Sequence, residues 1–92
     1  MVADAIIIEP LTQTRLSGRT AEISAGGCYV DALNPLPARS VVQISIVRGG
    51  GVFGTWGRIV YVHEGIGMGV AFFNTPPDQA EILRSWIAEL SA

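Results

Sequence analysis

A short polar stretch in the first third of the chain combines the residue types from which a small ligand site could be built. Glu22, Ser24, Gly26 and Gly27 all lie within the six positions 22–27. The stretch 25–27 consists of small residues that tolerate positive φ, so it predicts a tight turn between two strands. A carboxylate, a hydroxyl and glycine amides would then meet at one strand end. The alternative is a serine that only closes a local turn beside an outward acid.

Alternation along the strand before this turn predicts which side chains face outward. Successive side chains of a strand point to opposite faces. We therefore expect Ala21 and Ile23 to face a core, and Thr20, Glu22 and Ser24 to face outward. The polar site would lie on the outside of a β-structure.

The remaining elements are short strands separated by glycine and proline turns. The segment 41–48 shows the clearest alternation, with Val42, Ile44 and Ile46 on one side. The stretch 11–17 is either a long turn or a continuation of a strand. The predicted strands are 5–9, 18–24, 28–31, 41–48, 52–64 and 68–73. This pattern predicts one domain over residues 1–92, an all-β, six-stranded antiparallel barrel closed by a single helix.

The C-terminal segment is the only one with helical periodicity. Thr75 can cap a helix, Pro76 suits its first position, and Asp78 is an acid in its first turn. The predicted helix covers about 76–91 and should close one mouth of the barrel with an apolar stripe. That stripe comprises Ile82, Leu83, Trp86, Ile87 and Leu90.

The motif and its surroundings resemble the signature of the PilZ domain family, over roughly residues 5–91. The spacing Glu22-x-Ser24-x-x-Gly27 is similar to the family's Asp or Asn, any residue, Ser, two residues, Gly. The order of strands, turns and closing helix is similar as well. The resemblance implies a small bacterial β-barrel that is not an enzyme and that belongs to cyclic-di-GMP signalling. It implies a nucleotide site that includes Glu22, Ser24, Gly26 and Gly27.

The family's second nucleotide-binding element is an Arg-x-x-x-Arg segment before the first strand, and here the chain departs from the pattern. No arginine precedes the first predicted strand, and Glu22 stands where the family has Asp or Asn. Arg15 and Arg19 have the right spacing but lie just ahead of Glu22. Alternation would place Arg19 on the face opposite Glu22 and Ser24. The sequence therefore predicts a degenerate member of the family that binds cyclic-di-GMP weakly or not at all. The alternative is a genuine receptor. Its arginines would then be Arg15 and Arg19, or would lie beyond these 92 residues.

Composition and residue spacing disfavour several other classes of function. The net charge is −2 and all six basic residues are arginine, which disfavours a nucleic-acid-binding barrel. No apolar run approaches the length of a membrane-spanning helix, and no secretory leader is visible, so we expect a cytoplasmic domain. Cys28 is expected to be a buried, inert thiol, and His63 a solvated residue at a strand end, without metal-ligand spacing. No cofactor, metal or catalytic group is predicted.

The high fraction of apolar residues suggests that such a domain acts through contacts with another protein. Apolar residues make up 49% of the chain and charged residues 15%. Phe72 and Phe73 are adjacent in one strand and cannot both point inward, and Val60 and Val62 lie on the neighbouring long strand. We therefore expect an exposed apolar patch that binds a protein partner or forms a homodimer.

Overall fold

A computed structural model describes residues 2–91, with the side chain of Ser91 excepted; the predicted domain limits, Met1 and Ala92, lie outside this range. The chain forms six strands and one helix, in the order β1 (Ala3–Glu9), β2 (Thr14–Ser24), β3 (Gly27–Asp31), β4 (Val41–Arg48), β5 (Gly51–His63), β6 (Gly67–Phe73) and α1 (Pro77–Ser91). All pairings are antiparallel, and the strands close in the order β1-β2-β3-β6-β5-β4. The predicted six-stranded barrel with a closing helix is confirmed.

The barrel interior is filled by alternate residues of each strand. Val42, Ile44 and Ile46 of β4 are buried as their alternation predicted, and Phe53 and Ile59 of β5 meet them from the next strand. Each carries a large apolar side chain whose removal from water stabilises the barrel. The interior is therefore a packed core rather than a channel.

The polar stretch 11–17, which the sequence left open between turn and strand, is divided between the two. β2 begins at Thr14, and the preceding turn is closed by Glu9. One Glu9 carboxylate oxygen accepts hydrogen bonds from the backbone N–H and the hydroxyl of Thr12, both at 2.6 Å. These hydrogen bonds favour the charged carboxylate and lower the pKa of Glu9.

Helix α1 starts one residue later than the sequence indicated. Its first helical residue is Pro77, and the Pro76 carbonyl accepts the first hydrogen bond, from the N–H of Ala80, at 2.9 Å. The Thr75 hydroxyl is hydrogen-bonded to the Thr55 hydroxyl of β5 at 2.8 Å. This contact holds the start of the helix against the barrel.

No helix in residues 2–91 is both long and apolar enough to cross a bilayer.

The apolar stripe of α1 docks on the barrel through its middle rather than its whole length. Leu83 and Trp86 are buried in the core, whereas Leu90, predicted on the same stripe, is 48% exposed. The Gln79 side chain accepts a hydrogen bond from the Gly54 N–H at 2.7 Å, and Arg48 pairs with Glu89 at 2.6 Å. These contacts hold α1 against the end of β4 and the first half of β5, and the last turn of the helix extends beyond the core.

Candidate functional site

An extra residue in β2 changes the predicted facing of the strand that carries the motif. Thr20 pairs with Val30 of β3 and Glu22 pairs with Tyr29, so the register shifts by one residue at Ala21, which forms a β-bulge. A bulge reverses the alternation beyond it. Thr20 is accordingly fully buried and Ala21 exposed, the opposite of the prediction for these two residues. Beyond the bulge the prediction holds, with Ile23 half-buried and Glu22 and Ser24 exposed.

The same bulge corrects the predicted position of the arginine pair. Arg15 and Arg19 are exposed on the outer face of β2, as are Glu22 and Ser24 beyond the bulge. Simple alternation would have separated Arg19 from Glu22. The Arg19 side chain lies 3.8 Å from the Asp4 carboxylate of β1, in an exposed ion pair. Such pairs contribute little to stability because water screens both charges.

The sequence predicts a turn that relies on residues tolerating a positive φ angle, but neither motif glycine is needed for that reason. Neither Gly26 nor Gly27 has a positive φ angle. A Cβ atom on Gly27 would overlap the backbone carbonyl oxygen of Val70 in β6, whereas one on Gly26 would meet nothing within 4 Å. Gly27 is therefore needed for the close approach of β3 to β6. The Ser24 hydroxyl donates a 3.3 Å hydrogen bond to the Gly27 carbonyl and closes the turn.

Register across four strands brings residues distant in sequence beside the motif. Glu22 is opposite Tyr29, Tyr29 is opposite Gly69, and Gly69 is opposite Tyr61 of β5. A second bulge, at Val60 of β5, turns Tyr61 onto this outer face. Directly opposed side chains lie within about 5.5 Å of each other at Cβ. The row therefore places a carboxylate and two tyrosines on one surface.

These residues line an open cleft of about 380 Å³ on the outside of the barrel, which we term the outer cleft. Its polar and aromatic lining comes from three strands: Glu22 and Ser24 of β2, Tyr29 of β3 and Tyr61 of β5. Glycines, Cys28 and apolar side chains form the rest of the lining. Of the predicted site residues, the cleft brings together Glu22, Ser24, Gly26 and Gly27. Arg15 and Arg19 are not part of its lining.

His63 extends the aromatic surface beyond the outer cleft. It is exposed at the end of β5, as predicted, and its Nδ1 lies 3.1 Å from the Tyr29 hydroxyl. The His63 ring lies 5.7 Å from that of Tyr29 and 5.3 Å from that of Tyr61, centroid to centroid. Sequence reasoning did not identify Tyr29 and Tyr61. The one available indication was a pair of glycines in β6: Gly69, which lies opposite both tyrosines, and Gly67, which lies beneath the Tyr29 ring.

The remaining predicted residues separate between core and surface. Phe72 packs edge-to-face on Phe53, with ring centroids 5.2 Å apart, while Phe73 faces outward beneath the Arg58 guanidinium at 5.7 Å. Cys28 is half-buried, and burial raises the pKa of its thiol to about 12. The thiol is therefore protonated at neutral pH and is a poor nucleophile. Residues 2–91 contain no group of three or more His, Cys, Asp or Glu side chains arranged to hold a metal ion.

Comparison with known proteins shows the fold and the family of this chain. The fold is similar to the PilZ domain of CeSA from a cellulose-synthesizing bacterium, with a TM-score of 0.74 and 18% identity, covering 100% of this chain and 95% of that one. It is also similar to the PilZ domain of YcgR from Escherichia coli, solved with c-di-GMP, with a TM-score of 0.79 and 18% identity, covering 98% and 82%. A search of curated proteins gave no match. The family model described as PilZ domain matches residues 5–89, nearly the whole chain, and the chain therefore belongs to the PilZ domain family.

Proposed function

We propose that this chain is a regulatory PilZ domain of bacterial cyclic-di-GMP signalling that has lost useful affinity for the nucleotide and acts through contacts with another protein. PilZ domains form a regulatory family that binds cyclic-di-GMP, and they are not enzymes. The observation that carries the proposal is the charge of the outer cleft. Glu22 lines it, and no arginine of the described chain does.

The electrostatic argument concerns the two phosphate charges of the nucleotide. Two like charges about 4 Å apart repel each other by about 1 kcal/mol in water, and by more where they are partly shielded. The arginine pair of the family would supply charge-assisted hydrogen bonds worth about 1.5–3 kcal/mol each. Losing two of them corresponds to roughly two to four decades in affinity. Glu22 adds repulsion to this loss.

Exposed apolar side chains support the proposal of a protein partner. Leu33 is 82% exposed and Ile66 is 64% exposed, and they line a second surface cleft beside Asp31. Of the residues predicted for an apolar patch, Val60 is 51% exposed at the bulge of β5, whereas Val62 and Phe72 pack against the core. Exposed large apolar side chains that share one cleft, as Leu33 and Ile66 do, are typical of binding surfaces. We expect this domain to work in the cytoplasm.

A calorimetric titration with cyclic-di-GMP at moderate salt tests the loss of nucleotide binding. We expect a dissociation constant above about 100 μM. The corresponding binding free energy is weaker than roughly 5.5 kcal/mol. Replacing Glu22 with asparagine, a residue of the family signature, should strengthen binding about fivefold by removing the repelling charge. A wild-type value near or below about 1 μM would contradict the proposal.

One structural observation favours the alternative function, a genuine receptor. The bulge at Ala21 leaves Arg15 and Arg19 on the same outer face as Glu22 and Ser24. If the titration shows tight binding, Arg15→Ala and Arg19→Ala should each abolish it. Arg84→Ala is the matched control, because it removes the same charge from the exposed face of α1, where Arg84 pairs with Glu81.

Self-association is the second form that the proposed protein contact can take. The exposed apolar residues would then be covered by a second copy of the chain, in a two-fold arrangement. The expected result is a mass that rises from monomer toward dimer across a concentration series. Static light scattering up to high micromolar concentration measures it. A strictly monomeric mass throughout would exclude the homodimer and leave a different protein as the partner.

A further inference from the structure

The two tyrosines of the outer cleft are held in place by glycines. The ring of Tyr61 occupies the space directly above Gly69, and a Cβ atom there would overlap it. The ring of Tyr29 lies above Gly67 in the same way, with its edge 2.6 Å from the position of such a Cβ. The ring centroids are 6.1 Å apart and the ring planes are tilted by 31°. The glycines therefore let both rings rest close to the sheet while Tyr61 stays about half exposed.

Acidic side chains lie beside the two rings: Glu22 lines the outer cleft, and Asp31, farther along β3, has Arg19 of β2 as its cross-strand neighbour. Glu22 is the direct cross-strand neighbour of Tyr29, and Asp31 follows two residues later on the same face of β3. Burial, with the Asp31 carboxylate as a smaller cause, raises the pKa of Tyr29. The faces of aromatic rings also carry negative charge density. The outer cleft thus offers a carboxylate and two π systems, without a lining cation in the described residues.

We propose that the outer cleft binds a guanidinium group, carried by an arginine side chain of a partner protein. A planar guanidinium can stack on the exposed Tyr61 ring and donate paired hydrogen bonds to the Glu22 carboxylate. The site has then exchanged an anionic ligand for a cationic one. This inference deepens the proposed function and rests on it, because it identifies the partner's chemistry at the site from which the nucleotide has been lost.

The surroundings of the cleft favour an arginine side chain over a free cation. Val60, raised on its bulge, and the half-buried Ile23 place apolar surface beside the carboxylate and the rings. The methylene groups of an arginine stem can cover such surface while the guanidinium remains polar and partly hydrated. A compact inorganic cation would leave that surface in water. The cleft volume of about 380 Å³ is large enough for the whole side chain.

Nuclear magnetic resonance on the full chain can test the proposal with a simple probe, N-acetyl-arginine amide. Its neutral isostere, N-acetyl-citrulline amide, is the matched ligand control. We expect saturable shifts of the Glu22, Tyr29 and Tyr61 backbone amides with the arginine probe, and at least about tenfold weaker binding of the citrulline probe. Sodium chloride at equal ionic strength corrects for screening.

Two variants localise the effect. Glu22→Gln should weaken binding of the arginine probe about tenfold, and Tyr61→Leu should weaken it severalfold, because each removes one contact with the cation. Asp78→Asn is the matched charge control on α1, away from the cleft, and should leave affinity unchanged. Both cleft residues are exposed, so the variants should remain folded.

The outcomes separate this inference from the proposed function. Absence of saturable shifts up to about 50 mM probe, or equal binding of the citrulline probe, overturns the guanidinium site. Tighter binding of agmatine than of the arginine probe overturns the assignment to a protein side chain. If cyclic-di-GMP binds the same amides at or below about 1 μM, the proposed function fails; if neither ligand binds, only this inference fails.

Discussion

Replacing Trp86 with alanine is expected to lower the free energy of unfolding by about 3–5 kcal/mol, the usual cost of emptying a large aromatic site in a core. The Trp86 ring is 7% exposed and packs edge-to-face against Phe53, with centroids 6.4 Å apart. Phe53 is fully buried, so the lost volume would open beside the barrel interior. For a domain of this size, such a loss is a large share of total stability. Urea denaturation followed by circular dichroism measures it.

Leu90→Ala is the matched control for the docking of the helix. Leu90 belongs to the same predicted stripe but is 48% exposed, so its truncation should cost less than about 1 kcal/mol. A Trp86→Ala variant that melts within a few degrees of the wild type would contradict the docked position. The helix would then be free to serve another partner.

Replacing Gly27 with alanine is expected to destabilise the barrel by about 2–3 kcal/mol, a typical cost of overpacking. The added methyl group would overlap the Val70 carbonyl oxygen, which is backbone within the β3–β6 ladder. Neither β3 nor β6 can move away without weakening the pairing between them. Cys28 and Val30 lie just beyond Gly27 in the same strand. Thermal unfolding and amide hydrogen exchange of β3 and β6 report the change.

Gly26→Ala is a control placed one residue away. A methyl group there meets nothing within 4 Å, and the φ angle of Gly26 is not positive. The free energy of unfolding of the Gly26→Ala variant should therefore change by less than about 0.5 kcal/mol. It can rise slightly, because alanine reduces the conformational freedom of the unfolded chain. Equal losses in the two variants would show that the turn needs glycine flexibility, rather than the close approach of β3 to β6.

Local patterns in the sequence determined most of the architecture. The alternation of Val42, Ile44 and Ile46 is a property of one strand, and it correctly predicts both the limits of β4 and its buried face. The helix was placed to within about one residue because proline can occupy only the first turn. The motif at Glu22 and Ser24 and its outward facing could likewise be read from neighbouring residues.

The pairing of strands decided what local pattern could not. The bulges at Ala21 and Val60 arise because two residues of one strand oppose one of its partner, and no single strand's sequence contains that register. The bulge at Ala21 reversed the predicted facing of Thr20 and Ala21, and it moved Arg19 to the outer face.

The composition of the outer cleft depends on the same tertiary register. Tyr61 reaches the motif only because β6 lies between β3 and β5 and presents Gly69, which leaves room for a ring. Glu22 and Tyr61 are 39 positions apart in the sequence, and no local pattern links them. The sequence by itself thus determined the strands, the helix and the motif side of the candidate site. Closure of the barrel supplied the two tyrosines, because only cross-strand register brings these side chains together.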